Sequence, residues 1–144
     1  MIITFKQFDE LTTVELHAML KLRFDIFILE QACLYPEIDG KDPTALHCLA
    51  YDGGTLAGTL RLFENADHAS IGRVAVHADY RSSGIGAQMM RAAVNQTKIR
   101  PVNLSAQSHL SDWYARLGFE TTSDIYDDDG VLHVDMTFTG DKLI

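Results

Sequence analysis

With 144 residues, 47% of them hydrophobic and 22% charged, the chain has the size and composition of one ordinary soluble domain that needs no disulfide or metal staple. Its net charge of -8 speaks against a nucleic-acid or anionic-membrane surface and mildly favours a cationic small substrate such as an amine. Cys33 and Cys48 lack Cys-x-x-Cys or metal-like spacing and read as reduced, buried thiols. The six histidines show no ligand spacing, so no metal role is expected. No stretch reads as a signal peptide or a membrane span, which makes the cytoplasm the expected compartment.

Ile2 to Lys6 reads as an opening strand. Thr12 and Glu15 form a capping-box pair that starts a helix, along which Leu16, Leu20, Phe24 and Phe27 recur, with Met19, Leu22, Ile26 and Leu29 widening the stripe. Such a stripe is core, and its end, at Phe27, is placed to wall a pocket. Gln31 to Asp42 is loop-like, carrying Pro36, Asp39-Gly40 and acids expected to be solvated. Two strands, His47 to Tyr51 and Leu56 to Phe63, flank the hairpin signal Asp52-Gly53-Gly54, and a polar turn from Asn65 to His68 follows.

Ser70 to Val76 reads as a strand, Arg81 to Gly84 as a small-residue turn, and Ser83 to about Lys98 as a helix with Ile85, Met89, Met90 and Ala93 inward. Val102 to Ala106 is a further strand. Ser111 to Leu117 is a short helix ended by Gly118. Strands Phe119 to Tyr126 and Val131 to Phe138 are joined by Asp127-Asp128-Asp129-Gly130. The order predicts one α/β domain spanning 1–144, with a mixed sheet.

The central strand–turn–helix is where the chemistry points. A helix N-terminus presents unpaired amides and partial positive charge, so it suits an anion. Gly84 and Gly86 permit close backbone approach, and Arg81 stands beside them. No Gly-Lys-Ser/Thr follows, which excludes a P-loop, and Gly84-Ile85-Gly86-Ala87-Gln88-Met89 lacks the last glycine of the dinucleotide fingerprint.

What remains, Arg81-x-x-Gly84-x-Gly86 after a Val-Ala-Val strand, resembles motif A of the GNAT acyl-CoA N-acyltransferases. Tyr114-Ala115-Arg116-Leu117-Gly118-Phe119 resembles their Tyr-x-x-x-Gly-Phe segment. Leu22-Arg23-x-x-Ile26-Phe27, Glu30-Gln31-x-Cys33-x-Tyr35, Ile38-Asp39-Gly40-x-Asp42, Ala106-Gln107-x-His109-Leu110 and Tyr126-x-Asp128-x-Gly130-x-x-His133 resemble the ElaA-like subfamily. The resemblance covers nearly the whole chain. It implies a mixed, mostly antiparallel central sheet flanked by helices, and acetyl-CoA as co-substrate.

By that resemblance Arg81, Ser82, Ser83, Gly84, Ile85, Gly86 and Ala87 cradle the coenzyme pyrophosphate, while Val74, Ala75 and Val76 pair with its pantetheine arm. Tyr114 contacts the coenzyme and serves as general acid. Many relatives carry a glutamate base on the motif strand, but Ser70 to Val76 has no carboxylate. His109, His133 and Glu30 are the candidates for the base. Phe27, Arg73 and Gln107 are candidates for orienting substrate. The implied activity is direct acetyl transfer to a primary amine of a small molecule or peptide. The alternatives are a non-catalytic acyl-CoA-binding module on the same fold, and an interaction domain using its acidic loops. Many relatives dimerise, and no segment here compels it.

Overall fold

The computed structural model describes residues 1–143. Eight strands form one sheet: β1 (Ile2–Gln7), β2 (Leu46–Asp52), β3 (Thr55–Glu64), β4 (Ala69–Val76), β5 (Val102–Gln107), β6 (Glu120–Thr121), β7 (Tyr126–Asp128) and β8 (Val131–Phe138). Their spatial order is β1-β2-β3-β4-β5-β8-β6, with β7 also on β8. Every pairing is antiparallel except β4 with β5. Three α-helices flank it: α1 (Thr13–Arg23), α2 (Ile85–Gln96) and α3 (Ser111–Arg116).

Helices α2 and α3 cover one face, where Met89, Met90, Ala93 and Val94 meet Leu60, Leu62, Val102, Phe119 and Met136. Burial of these apolar side chains supplies the main driving force for the fold, about 25 cal/mol per Å². Helix α1 covers the other face over β2–β4 only, through Met19, Leu22, Ile26 and Phe27 against Leu49, Leu56 and Ala75. Over β5–β8 that face is open.

Helix α1 starts as its capping box dictates: Thr12 Oγ1 accepts from Glu15 N at 3.0 Å, and Glu15 accepts from Thr12 N at 2.9 Å. Past Arg23 the coil widens into π-type turns, Phe24–Glu30, with Gln31 N donating to Ile26 O at 3.0 Å. The wider turn rotates the stripe. Phe24 and Leu29, expected in the core, are 48% and 64% exposed, whereas Ile26 and Phe27 are buried.

The strand expected from Phe119 to Tyr126 is broken. The ladder ends at Thr121; Thr122 N still donates to Asp135 O at 2.8 Å, but Asp135 N donates to the Ser123 hydroxyl at 2.9 Å instead of to a main-chain carbonyl. Pairing resumes at Tyr126, and the β7–β8 hairpin turns on Asp129 and Gly130, both at positive φ (52° and 84°), the twist-matched two-residue form. The helix expected over Ser83 to Lys98 is shorter, Ile85–Gln96. No described helix is long and apolar enough to cross a membrane.

Candidate active site

Strands β4 and β5 pair only at Ala69–Val102 and Ser70–Asn103, then part. Beyond Ser70 the β4 edge facing β5 therefore has no ladder partner among the described residues, and an unpaired edge is a template for an extended, amide-bearing ligand. The register with β3 also skips: Ala75 opposes Thr59 but Gly72 opposes Arg61, so Arg73 and Val74 together face Leu60. This is a β-bulge, with Arg73 at φ 50°. It turns Val74 and Val76 toward the α2 side and Ala75 toward α1.

After β4, a turn of exposed residues, 81–84, leads into α2. Gly84 is its N-cap at φ 86°, with open space where a Cβ would stand. At Gly86 a Cβ would lie 3.3 Å from the Trp113 ring, so glycine is what lets α2 approach α3 closely. The first amides of α2, Gly86 and Ala87 among them, have no carbonyl partner among the described residues. Arg81 reaches back over the cleft mouth to Glu30, Nη2 to Oε1 at 2.7 Å.

The gap between β4 and β5 opens into a cleft of about 570 Å³. Val74, Ala75, Val76, Arg81, Phe27, Glu30, Arg73, Gln107, His109, Tyr114 and His133 all line it. Ser82 to Ala87 do not; they form the turn just outside. Cys33, expected to be buried, is only half-buried and also lines the cleft, its thiol 3.6 Å from Asp129 O. Cys48 is buried, and burial pushes its thiol up to about 12.

Tyr114 is 7% exposed, edge-on to Trp113 and Phe119. Burial pushes its phenol up to about 12, so it stays protonated at neutral pH, and its hydroxyl has no partner among the described residues. His133 is stacked on Tyr126 and fixed by Nδ1, 2.8 Å from Val131 O. A carbonyl only accepts, so Nδ1 carries the hydrogen and the neutral ring keeps its lone pair on Nε2. His109 is exposed on the one-turn helix Ser108–Leu110 and makes no hydrogen bond among the described residues. Gln107 Nε2 donates to Gln31 Oε1 at 3.0 Å, joining β5 to the end of the π turns.

The acidic loop expected to be solvated is in part buried. Arg23, 1% exposed, donates to Glu37 Oε2 at 2.7 Å and Asp42 Oδ1 at 2.9 Å. Arg61 binds Asp39 at 2.6 Å and Asp42 at 3.0 Å. Arg73 meets Glu37 at 2.8 Å and lies over the Tyr35 ring at 5.0 Å. Three arginines thus neutralise three carboxylates and pin the loop to the sheet as one cleft wall. The Arg61 hydrogen bond holds Asp39 well below the usual carboxylate range. Burial opposes ionisation of Asp42, but Arg23 and Arg61 outweigh it and lower its pKa. Arg73 borders the cleft with its guanidinium already committed.

Two features escaped the sequence. The bulge has no local signature, since Val74-Ala75-Val76 is an apolar run like that of any buried strand and carries no glycine. The ion cluster did leave a signal: Arg23 lies four residues after Met19 and four before Phe27, on the buried stripe, where a charge must find partners.

A model of the acetyltransferase (GNAT) domain matches residues 15–139. The chain is 34% identical over 137 residues to protein ElaA of Escherichia coli, covering 89% of this chain and 90% of that one. It is 37% identical over 134 residues to a UPF0039 protein of Mycobacterium bovis, covering 87% and 85%. An acyl-CoA N-acyltransferase from Pseudomonas aeruginosa superposes with TM-score 0.89 at 35% identity, covering 96% of this chain and 99% of that one. The E. coli ElaA structure gives TM-score 0.89 at 30% identity, with the same coverage.

Proposed function

The chain belongs to the GNAT acetyltransferase family, and from that premise we propose that it is a cytoplasmic acetyl-CoA-dependent N-acetyltransferase acting by direct attack of a primary amine. The observation that carries this reading is the half-unpaired, bulged β4, running from a cleft with a tyrosine hydroxyl to a helix N-terminus, the hydroxyl and the first helix amides having no partner among the described residues. The residues present fit the coenzyme. Val74 to Val76 offer backbone groups for an amide-bearing arm, and Arg81 with the amides around Gly84 and Gly86 offers an anion site where no Cβ intrudes.

Acetyl-CoA supplies a thioester whose carbonyl carbon accepts the amine. His133 is the base. Its Nε2 takes a proton from the amine as the N–C bond forms, the C–S bond breaks and the electron pair leaves on sulfur. A β4 amide released by the register skip donates to the developing oxyanion. Tyr114 donates a hydrogen bond to the departing sulfur. Glu30 is set aside as base because its exposed carboxylate stands at the cleft mouth beside the pyrophosphate-binding Arg81, and His109 because its exposed ring makes no hydrogen bond among the described residues.

The test is coenzyme affinity. Aspartate tolerates the left-handed conformation at position 84 but places a carboxylate in the anion site. Gly84→Asp is expected to weaken acetyl-CoA binding, measured by calorimetry, at least about tenfold with little change in melting temperature. Unchanged affinity in the folded variant would remove the cradle from the argument.

Arg81 cannot serve Glu30 and a pyrophosphate at once. Glu30→Gln is expected to free it, lowering the Kd for acetyl-CoA about two- to fivefold, the scale of an exposed ion pair. A weaker affinity in that variant would show that Glu30 supports the coenzyme instead.

A further inference from the structure

Beside the cleft, bordered by β4 and β5, lies a second hollow of about 540 Å³. The two share Ile71, Gly72, Arg73, Leu104 and Ser105. Strand alternation explains the floor. His133, Asp135 and Thr137 share the sheet face opposite buried Val134, Met136 and Phe138, and register places Gln107, Ser105 and Asn103 of β5 beside them. This is the half of the sheet that α1 leaves uncovered.

The hydrogen bonds of the floor leave specific capacities unspent. Thr137 Oγ1 donates to Asn103 Oδ1 at 2.8 Å, and the Asn103 amino group has no acceptor among the described residues. Tyr126 donates to Asp135 Oδ1 at 2.6 Å and shares a hydrogen bond with Ser105, which orients the carboxylate while leaving its charge intact. Asp135 has no cation within ion-pairing distance among the described residues. The arginines that border the hollow, Arg61 and Arg73, are already neutralised by Glu37, Asp39 and Asp42. The hollow therefore carries one oriented, solvent-accessible carboxylate with no ion-pair partner among the described residues.

The strand sets how far apart the His133 and Asp135 side chains are attached. Two residues along β8 span about 7 Å. At roughly 1.25 Å of reach per bond, the same length is bridged by a chain of about four or five methylenes. We propose that the acceptor is a short alkane diamine, with one nitrogen neutral at His133 Nε2 for attack and the other held as an ammonium by Asp135. The far nitrogen, being protonated, has no lone pair and is not acylated. This rests on the acetyl-transfer reading and names its substrate class.

The experiment compares initial rates of thiol release from acetyl-CoA with 1,4-diaminobutane and 1,5-diaminopentane against butylamine and pentylamine at one pH, for the wild type and D135N. Expected is a kcat/KM advantage of at least about fivefold for the diamines, beyond the statistical factor of two for two equivalent amines, carried mainly by KM. In D135N that advantage disappears, and D135E restores part of it. Diamines and monoamines differing by no more than twofold, or a preference that survives D135N, would overturn the diamine assignment while leaving acyl transfer standing. Binding of acetyl-CoA with no turnover of any amine would overturn the acceptor class and the transfer reading together.

Discussion

Replacing Arg23 with methionine is expected to destabilise the fold by about 3–5 kcal/mol, the cost of stranding a buried carboxylate by removing its partner. Glu37 and Asp42 are themselves nearly inaccessible, at 6% and 5% exposure. Arg73 and Arg61 still face them in the variant, but three carboxylates would then share two cations. Against a typical total stability of about 5–15 kcal/mol, this is a large fraction of the whole. Arg23→Lys keeps the charge and loses the fork that meets Glu37 with two nitrogens, so a smaller loss is expected. Urea denaturation of the three proteins checks the ranking, and a loss under about 1 kcal/mol for the methionine variant would show that the cluster relaxes around the gap.

The same cluster sets an acid limit. Arg61 holds the Asp39 carboxyl below the ordinary aspartate range, and Arg23 with Arg61 does the same for Asp42. Groups lowered on folding contribute stability that is fully present above their unfolded pKa and lost as pH falls through the folded one. The wild type is therefore expected to lose stability progressively below about pH 4, and Arg23→Met, already lacking one of the cations that lower Asp42, to lose less on the same acid titration.

Local chemistry was readable wherever a signal lies within a few residues. Thr12 with Glu15, the Asp129-Gly130 turn, Gly118 at φ 106° after α3, and the strand–turn–helix around Gly84 all fold as their own sequence dictates. The family resemblance rested on such segments, and it anticipated a mostly antiparallel sheet. Features made by distant partners were not readable. Glu37 and Asp42 look like loop acids until Arg23, 14 and 19 residues away, is folded onto them. The Ser123 hydroxyl, past the end of the ladder at Thr121, accepts from the amide of Asp135, 12 residues on. The proposed preference for His133 over His109 and Glu30 also draws on the third dimension: the Val131 carbonyl fixes the His133 ring inside the cleft, while His109 and Glu30 are exposed.

The second large effect is expected at Tyr114. With its phenol pushed up to about 12, it is a poorer acid than a thiol, whose reference pKa is about 8.5. Complete proton transfer to the leaving sulfur would run uphill, so the role we propose for the tyrosine is to donate a hydrogen bond as negative charge develops there. A hydrogen bond to a charged group contributes about 1.5–3 kcal/mol, which corresponds to a fall in kcat of about 10- to 150-fold in Tyr114→Phe. The ring itself packs on Trp113 and Phe119 and is retained, and the lost hydroxyl has no protein partner among the described residues. Melting temperature and acetyl-CoA affinity are therefore expected to change little. Because the phenol stays protonated through ordinary assay conditions, the pH–rate profiles of wild type and variant should be parallel below about pH 10. A fall in kcat of that size with unchanged coenzyme Kd would assign the hydroxyl to the chemical step. An unchanged kcat would leave Tyr114 as packing under the coenzyme, and the absence of any turnover in the wild type, with coenzyme bound, would mark the chain as a binding module that keeps the fold without the reaction.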